Sequence, residues 1–249
     1  MNRFAIIGGS GLDTLGPLQI SARRQVMTAY GAPSGPLCEG NFAGSPVVFL
    51  PRHGETHRIP PHLINYRANI AALKGLGVTS VIAVTAVGGI GPEAGPGRIV
   101  IPDQIIDYTY GREHTFSDGT ADAVDHVDFT APYSEALRSL LIAVAEDAGC
   151  EVVPHGVYGA TQGPRLETAA EIARMARDGC SIVGMTGMPE AALAREAGLD
   201  YATVSLSVNW AAGLGGATIS LEEIGRHLTQ GMASVLRLVG RAIGVALSR

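Results

Sequence analysis

Four short segments of the chain combine small residues, hydroxyls and a cation in the way an oxyanion requires. Gly8-Gly9-Ser10-Gly11-Leu12 offers converging backbone N–H groups and the Ser10 hydroxyl. Pro51-Arg52-His53-Gly54-Glu55-Thr56-His57-Arg58 offers a guanidinium fork at Arg52 and a further hydrogen-bond donor at His53. In Thr85-Ala86-Val87-Gly88-Gly89 the Thr85 hydroxyl and the Ala86 backbone N–H are available to an anion. The fourth segment runs from Ile182 to Glu190: Gly184 leaves room beside a ligand, Met185 gives a soft apolar surface, Thr186 a hydroxyl, and Pro189 suits the first turn of a following helix. Taken singly, each is equally a tight turn or a solvated basic loop. Taken together, they point to inorganic phosphate, or a phosphate group, as one substrate. No serine or cysteine nucleophile with an adjacent base accompanies them. The first loop is not a dinucleotide fingerprint, because Leu12-Asp13-Thr14 stand where a third glycine belongs, and it lacks the Gly-Lys-Ser/Thr of a Walker loop. His53 and His57 could suggest metal ligation, but no metal site is read there.

The elements that must carry these segments follow from hydrophobic periodicity. Strands are predicted at Phe4–Ile7, Val47–Leu50, Val81–Val84, Ile99–Ile101, Val157–Ala160, Ile182–Val183 and Tyr201–Val208. Helices are predicted at His62–Leu76, Ser134–Ala148, Thr168–Arg177, Met188–Glu196 and Ser220–Leu247, with capping boxes at Thr168/Glu171 and Ser220/Glu223. The alternation predicts an α/β fold, a central mixed sheet flanked by helices, with its ligand beyond the carboxyl ends of the strands. Asn65-Tyr66-Arg67-Ala68-Asn69 opens one helix and is expected to brace the Arg52 loop.

A chain of 249 residues with 46% hydrophobic content can bury one large core, so a single domain over 1–249 is expected. No apolar run is long enough to cross a bilayer, and no basic then apolar leader precedes the first strand, which predicts a cytoplasmic protein. The net charge is −5 with scattered basic residues, which excludes a nucleic-acid footprint and favours a small-molecule partner. Three widely spaced cysteines indicate neither a disulfide framework nor a zinc site.

Gly8-Gly9-Ser10-Gly11-Leu12, Arg52-His53-Gly54, Asn65-Tyr66-Arg67-Ala68-Asn69, Gly163-Pro164-Arg165-Leu166-Glu167-Thr168 and Met185-Thr186-Gly187-Met188-Pro189-Glu190 together resemble the trimeric purine nucleoside phosphorylase and 5'-methylthioadenosine phosphorylase family. The motifs stand in the same order and the resemblance covers nearly the whole chain. It implies phosphorolysis of a nucleoside to a purine and a pentose 1-phosphate, with no metal or organic cofactor. It also implies a phosphate site at Ser10, Arg52, His53, Thr85, Ala86 and Thr186, with Met185 beneath the ribose and Leu166, Asn209 and Trp210 beside the purine. It implies a homotrimer whose site is completed by the neighbouring subunit, with His126 resembling the residue that crosses over. Two positions depart from the family pattern: Gly184 stands where the methylthioadenosine enzymes carry asparagine, and Leu166 where phenylalanine is frequent.

The resemblance also bears on substrate choice. Glu167 resembles the glutamate of 6-oxopurine phosphorylases, and its carboxylate can accept from N1–H. Asn209 can donate to O6 and accept from N7–H of the departing base, and Ala211 stands where adenine-specific relatives carry an aspartate. Leu221 takes the place of a histidine that binds the 5'-hydroxyl in inosine enzymes. The expected activity is therefore cleavage of a 6-oxopurine nucleoside, preferably 5'-methylthioinosine. A 5'-methylthioadenosine phosphorylase, a general purine nucleoside phosphorylase, a nucleosidase that activates water, and a non-catalytic nucleoside binder are the alternatives.

Overall fold

The computed structural model describes residues 2–9, 18–119, 125–215 and 219–248, without the side chain of Leu221. The chain opens with β1 (Phe4–Gly8), buried on both faces, and a hairpin of more polar strands, β2 (Leu18–Arg24) and β3 (Leu37–Phe42), leads to β4 (Ser45–Pro51). Then come α1 (Tyr66–Gly75), β5 (Ser80–Gly89), β6 (Ile99–Val100), β7 (Gln104–Asp107) and α2 (Glu135–Ala143). The second half holds β8 (Val152–Val153), β9 (Val157–Ala160), α3 (Ala169–Arg177), β10 (Cys180–Gly184), α4 (Gly187–Glu196), β11 (Asp200–Trp210) and α5 (Leu221–Leu247).

These strands form a mixed sheet in the order β2-β3-β4-β1-β5-β10-β9-β7, with β11 on β5 and β6, and β8 on β6. Alternation along β1 sends Phe4 and Ile6 into the core beneath α5 and α2, and Ala5 and Ile7 into the core beneath α1 and α4. On α5 the residues Val235, Leu238, Val239, Ala242 and Ile243 are fully buried, the spacing of a helix face laid on a sheet. Each large side chain of that stripe is worth about 1.5–3 kcal/mol relative to exposure, which is how one long helix closes one face of the domain.

The element that positions the site is β5. Its first half pairs with β1 in parallel from Ser80 to Ala83, and its last two residues pair with β10 in antiparallel, Gly88 with Val183 and Gly89 with Ile182. Between these partners, at Val84–Val87, one edge of β5 is open while β11 still covers the other. This split lies at the carboxyl end of the parallel strands, where α/β sheets bind ligands.

Three expectations change, the first being that the helix expected over Ser134–Ala148 ends at Ala143. Thr85–Gly89 is not a loop that follows a strand ending at Val84 but the second half of β5 itself, held by the ladder to β11. The helix expected from His62 begins at Tyr66, after a short turn at Pro61–Leu63, because Asn65 caps it by accepting from the Ala68 N–H at 3.0 Å.

Candidate active site

A cavity of about 630 Å³ opens at the split and is lined by Gly9, Arg52, His53, Thr85, Ala86 and Thr186. Sequence-distant segments thus converge as expected, with Ser10 outside the described residues. The Arg52 loop is tied to the end of β1 by the Arg52 N–H donating to the Gly8 carbonyl at 2.8 Å. Asn65 and Asn69 do not brace this loop directly. Asn65 donates to the Tyr30 carbonyl, and Asn69 exchanges hydrogen bonds with Ser34 in the segment beneath it.

Two donors differ from the sequence reading. The Arg52 fork does not point into the cavity: Nε and Nη2 donate to the two carboxylate oxygens of Glu190 at 2.7 and 2.8 Å, and Nη1 to the Val84 carbonyl at 3.0 Å. The buried Glu190 carboxylate outcompetes an exposed cavity for the fork, because an unpaired charge there is costly. The His53 Nδ1 lies 2.9 Å from the Ile59 carbonyl, which can only accept, so the ring hydrogen sits on Nδ1 and Nε2 carries a lone pair. Burial, followed by the Arg52 charge beside it, pushes the imidazole down to about 4. Near neutral pH, His53 is therefore an uncharged acceptor at Nε2 rather than a second donor.

The remaining anion-facing groups lie along the open edge. Arg52 binds the Val84 carbonyl there, and strand alternation turns the Ala86 N–H to the same side two residues on. The Thr85 hydroxyl lies 2.9 Å from the Ser205 hydroxyl of β11, within a buried pair of strands. Thr186 occupies the N-cap position of α4 but makes no capping bond with its side chain; Met188 is extended, so the regular helix starts at Pro189. Gly184 lines the cavity, and a Cβ there would collide with the Tyr158 hydroxyl, so its missing side chain also makes room for Tyr158.

Leu166, Glu167, Met185, Asn209 and Ala211 also line the cavity. Glu167 is half-buried, and its Oε1 accepts from the Thr161 hydroxyl at 2.6 Å. The Asn209 amide nitrogen donates to the Trp210 carbonyl at 2.7 Å, which leaves its carbonyl oxygen and a second N–H for other partners. Trp210 is absent from the lining. The end of β11, irregular between Ser207 and Asn209, presents Val208, Asn209 and the following Ala211 to the cavity and turns the Trp210 ring toward Gly95 and Gly215. His126 is exposed and also outside the lining.

Sequence reasoning missed two groups. Ile219, Ile224, Leu228 and Met232 form an apolar arm of the cavity in the region assigned to Leu221, whose side chain lies outside the described residues. Their signal was present as the four-residue spacing Ile224, Leu228, Met232 on the first half of α5. Arg112 is buried and donates to the carbonyls of Met185 and Met188 at 2.8 and 2.6 Å and of Thr161 and Gln162 at 3.1 and 2.8 Å. It therefore ties the Met185–Met188 turn to the segment that carries Glu167. Nothing in Gly111-Arg112-Glu113 announces this from sequence. Among the described residues no cluster of three His, Cys, Asp or Glu side chains is placed to hold a metal, and no helix is long and apolar enough to cross a membrane.

A family model described as the phosphorylase superfamily matches residues 3–244. A probable S-methyl-5'-thioinosine phosphorylase from Pseudomonas syringae pv. tomato is 52% identical over 246 residues, covering 99% of this chain and 100% of the relative. The 6-oxopurine nucleoside phosphorylase of Pyrococcus furiosus is 44% identical over 248 residues, covering 98% and 92%. Among solved structures, the methylthioadenosine phosphorylase of Schistosoma mansoni in complex with tubercidin superposes with a TM-score of 0.91 at 32% identity, covering 100% of this chain and 93% of that one. With the family model spanning nearly the whole sequence and the relatives matching over nearly their full length, the chain belongs to the phosphorylase superfamily.

Proposed function

We propose that the protein catalyses phosphorolysis of a 6-oxopurine nucleoside, preferably 5'-methylthioinosine, to hypoxanthine and 5-methylthioribose 1-phosphate. The observation that carries this reading is the Glu167 carboxylate, fixed by Thr161 and lining the same cavity as Arg52, Ala86 and Thr186. A carboxylate accepts from N1–H of hypoxanthine and meets only a lone pair at N1 of adenine. The names of the Pseudomonas and Pyrococcus relatives support the same base.

In the reaction a phosphate oxygen forms a bond to the anomeric carbon as the bond to purine N9 breaks, and the electron pair leaves with the base. Positive charge builds on the sugar and is met by the phosphate; negative charge builds on the purine. Asn209 serves the base, its free N–H donating to O6 and its carbonyl accepting from N7–H once the purine takes up a proton there. His53 accepts at Nε2 from the protonated oxygen of hydrogen phosphate, and Ser10 belongs with the phosphate donors. The apolar arm of Ile224, Leu228 and Met232 takes the 5' substituent and leaves a 5'-hydroxyl without a partner, which costs about 1–3 kcal/mol.

Phosphate is a co-substrate and no metal or organic cofactor takes part. The active form is a cytoplasmic homotrimer in which the exposed His126 reaches the neighbouring subunit's site, and sedimentation of the protein with and without a His126→Ala change tests that part. The substrate is tested by kcat/KM for 5'-methylthioinosine, 5'-methylthioadenosine, inosine and adenosine side by side. 5'-Methylthioinosine should lead, and comparable values for the two methylthio nucleosides would remove the 6-oxopurine assignment.

A further inference from the structure

Glu190 is the most deeply buried carboxylate of the site, 0% exposed in the first turn of α4, yet nothing in the reaction above uses it. Its oxygens receive Nε and Nη2 of Arg52, itself 2% exposed, and Oε1 also accepts from the Tyr201 hydroxyl at 2.9 Å. The N-terminal turn of a helix suits a carboxylate, and the Arg52 and Tyr201 hydrogen bonds hold the Glu190 side chain in one position. The second Nη2 hydrogen is directed at the Ile7 carbonyl at 3.5 Å, and Nη1 binds the Val84 carbonyl. Among the described residues this leaves one Nη1–H of Arg52 for the cavity. Of the other cavity groups from these segments, His53, Thr85, Ala86 and Thr186 are uncharged near neutral pH, while Arg58 of the Arg52 loop brings an exposed guanidinium to the lining.

We propose that Glu190 is a positioning residue for phosphate, acting through Arg52: it turns the guanidinium fork away from the anion and cancels its charge. A free fork would grip two phosphate oxygens at once, the geometry arginine uses for its tightest anion contacts. Such contacts tighten the ground state, which lowers KM without raising kcat. They also withdraw from the phosphate the negative charge that its attack on the anomeric carbon and its stabilisation of the cationic sugar require. With Glu190 in place the phosphate is held by single directional donors, and its charge faces the sugar. The inference rests on the phosphorolysis reading. Phosphate-dependent cleavage by the unmodified protein tests that reading, and only the difference between variant and parent tests this one.

The test is Glu190→Gln, with Glu190→Asp as the variant that keeps the charge at shorter reach. In Glu190→Gln the amide presents N–H groups to Nη2 and releases the fork toward the cavity. The KM for phosphate should fall about tenfold or more, kcat should fall by a similar factor, and the KM for nucleoside should stay within about twofold. Inorganic phosphate should raise the melting temperature of this variant more than that of the parent, and Glu190→Asp should lie between the two. A Glu190→Gln protein that folds only in phosphate gives the same answer, since the anion then replaces the missing carboxylate. An unchanged or raised phosphate KM in folded protein overturns the proposal, as does equal damage to both substrates. Failure of both variants to fold at saturating phosphate overturns it too, because Glu190 would then serve the core alone.

Discussion

Changing Glu167 to glutamine probes base recognition with a single atom, and the structure fixes which way the new amide turns. The Thr161 hydroxyl donates to Oε1 at 2.6 Å and has only a longer alternative, the Gly184 carbonyl at 3.3 Å. The amide oxygen of the glutamine therefore takes the Thr161 side and its NH2 faces the base. Against hypoxanthine this sets donor against donor at N1–H. The loss of a charge-assisted bond costs about 1.5–3 kcal/mol, and the facing donors about 1–3 kcal/mol more. Against adenine the same NH2 meets the N1 lone pair and gains a neutral bond of about 0.5–1.5 kcal/mol. At 1.36 kcal/mol per tenfold, the ratio of kcat/KM for 5'-methylthioinosine over 5'-methylthioadenosine should fall by at least about 100-fold. The assay is hypoxanthine and adenine release under matched saturating phosphate. A second change, Thr161→Val, removes the lock and should return part of the lost ratio by letting the amide flip. A Glu167→Gln ratio within about threefold of the parent would refute the assignment of Glu167 to the base.

Other consequences can be checked on the same preparation. Because burial holds His53 down at about 4 against an ordinary 6.5, the folded protein binds fewer protons there than the unfolded chain. The stability this contributes is complete above about 6.5 and is lost as pH falls toward about 4; His53→Asn, whose amide can replace the bond to Ile59, should flatten that window in denaturant titrations, and parallel curves would contradict it. Gly184→Ala should destabilise by about 1–3 kcal/mol in urea unfolding because its Cβ meets the Tyr158 hydroxyl, with partial recovery in Gly184→Ala/Tyr158→Phe; a neutral single change would count against that contact. Leu228→Ser, placing a hydroxyl in the apolar arm, should narrow the preference for 5'-methylthioinosine over inosine by about tenfold, and an unaltered preference would move the 5' group elsewhere.

Much of the framework was legible because it depends on local chemistry. The buried runs at Val157–Ala160 and Tyr201–Val208 fall on β9 and β11, and the Thr168/Glu171 capping box starts α3 in the structure as written in sequence. At Ser220 the hydroxyl accepts from the Glu223 N–H. The strands that escaped notice, β2, β3, β7 and β8, are short or carry polar residues on an exposed face, as in Leu-Gln-Ile-Ser-Ala-Arg-Arg of β2, so their strand character comes from ladder partners. The site divides along the same line. That Arg52, His53 and Thr186 meet follows from each lying just beyond a strand end, whereas Thr85 and Ala86 join them from the middle of β5, where its edge is open. Where their hydrogens point does not follow, because the partner of the Arg52 fork is Glu190, 138 residues away, and the partner of Nδ1 of His53 is a carbonyl on the same loop. Arg112 and Gly184 show the same limit: one is a cation spent on backbone carbonyls, the other a vacancy filled by Tyr158.

The central claim is that phosphate, and not water, takes the sugar. Phosphorus NMR of the unmodified protein turning over 5'-methylthioinosine measures this directly when hypoxanthine is quantified in the same tube. The expected result is one new sugar 1-phosphate per hypoxanthine released, with no release when phosphate is omitted. Hypoxanthine appearing at an undiminished rate without phosphate, with free 5-methylthioribose as its partner product, would contradict the account.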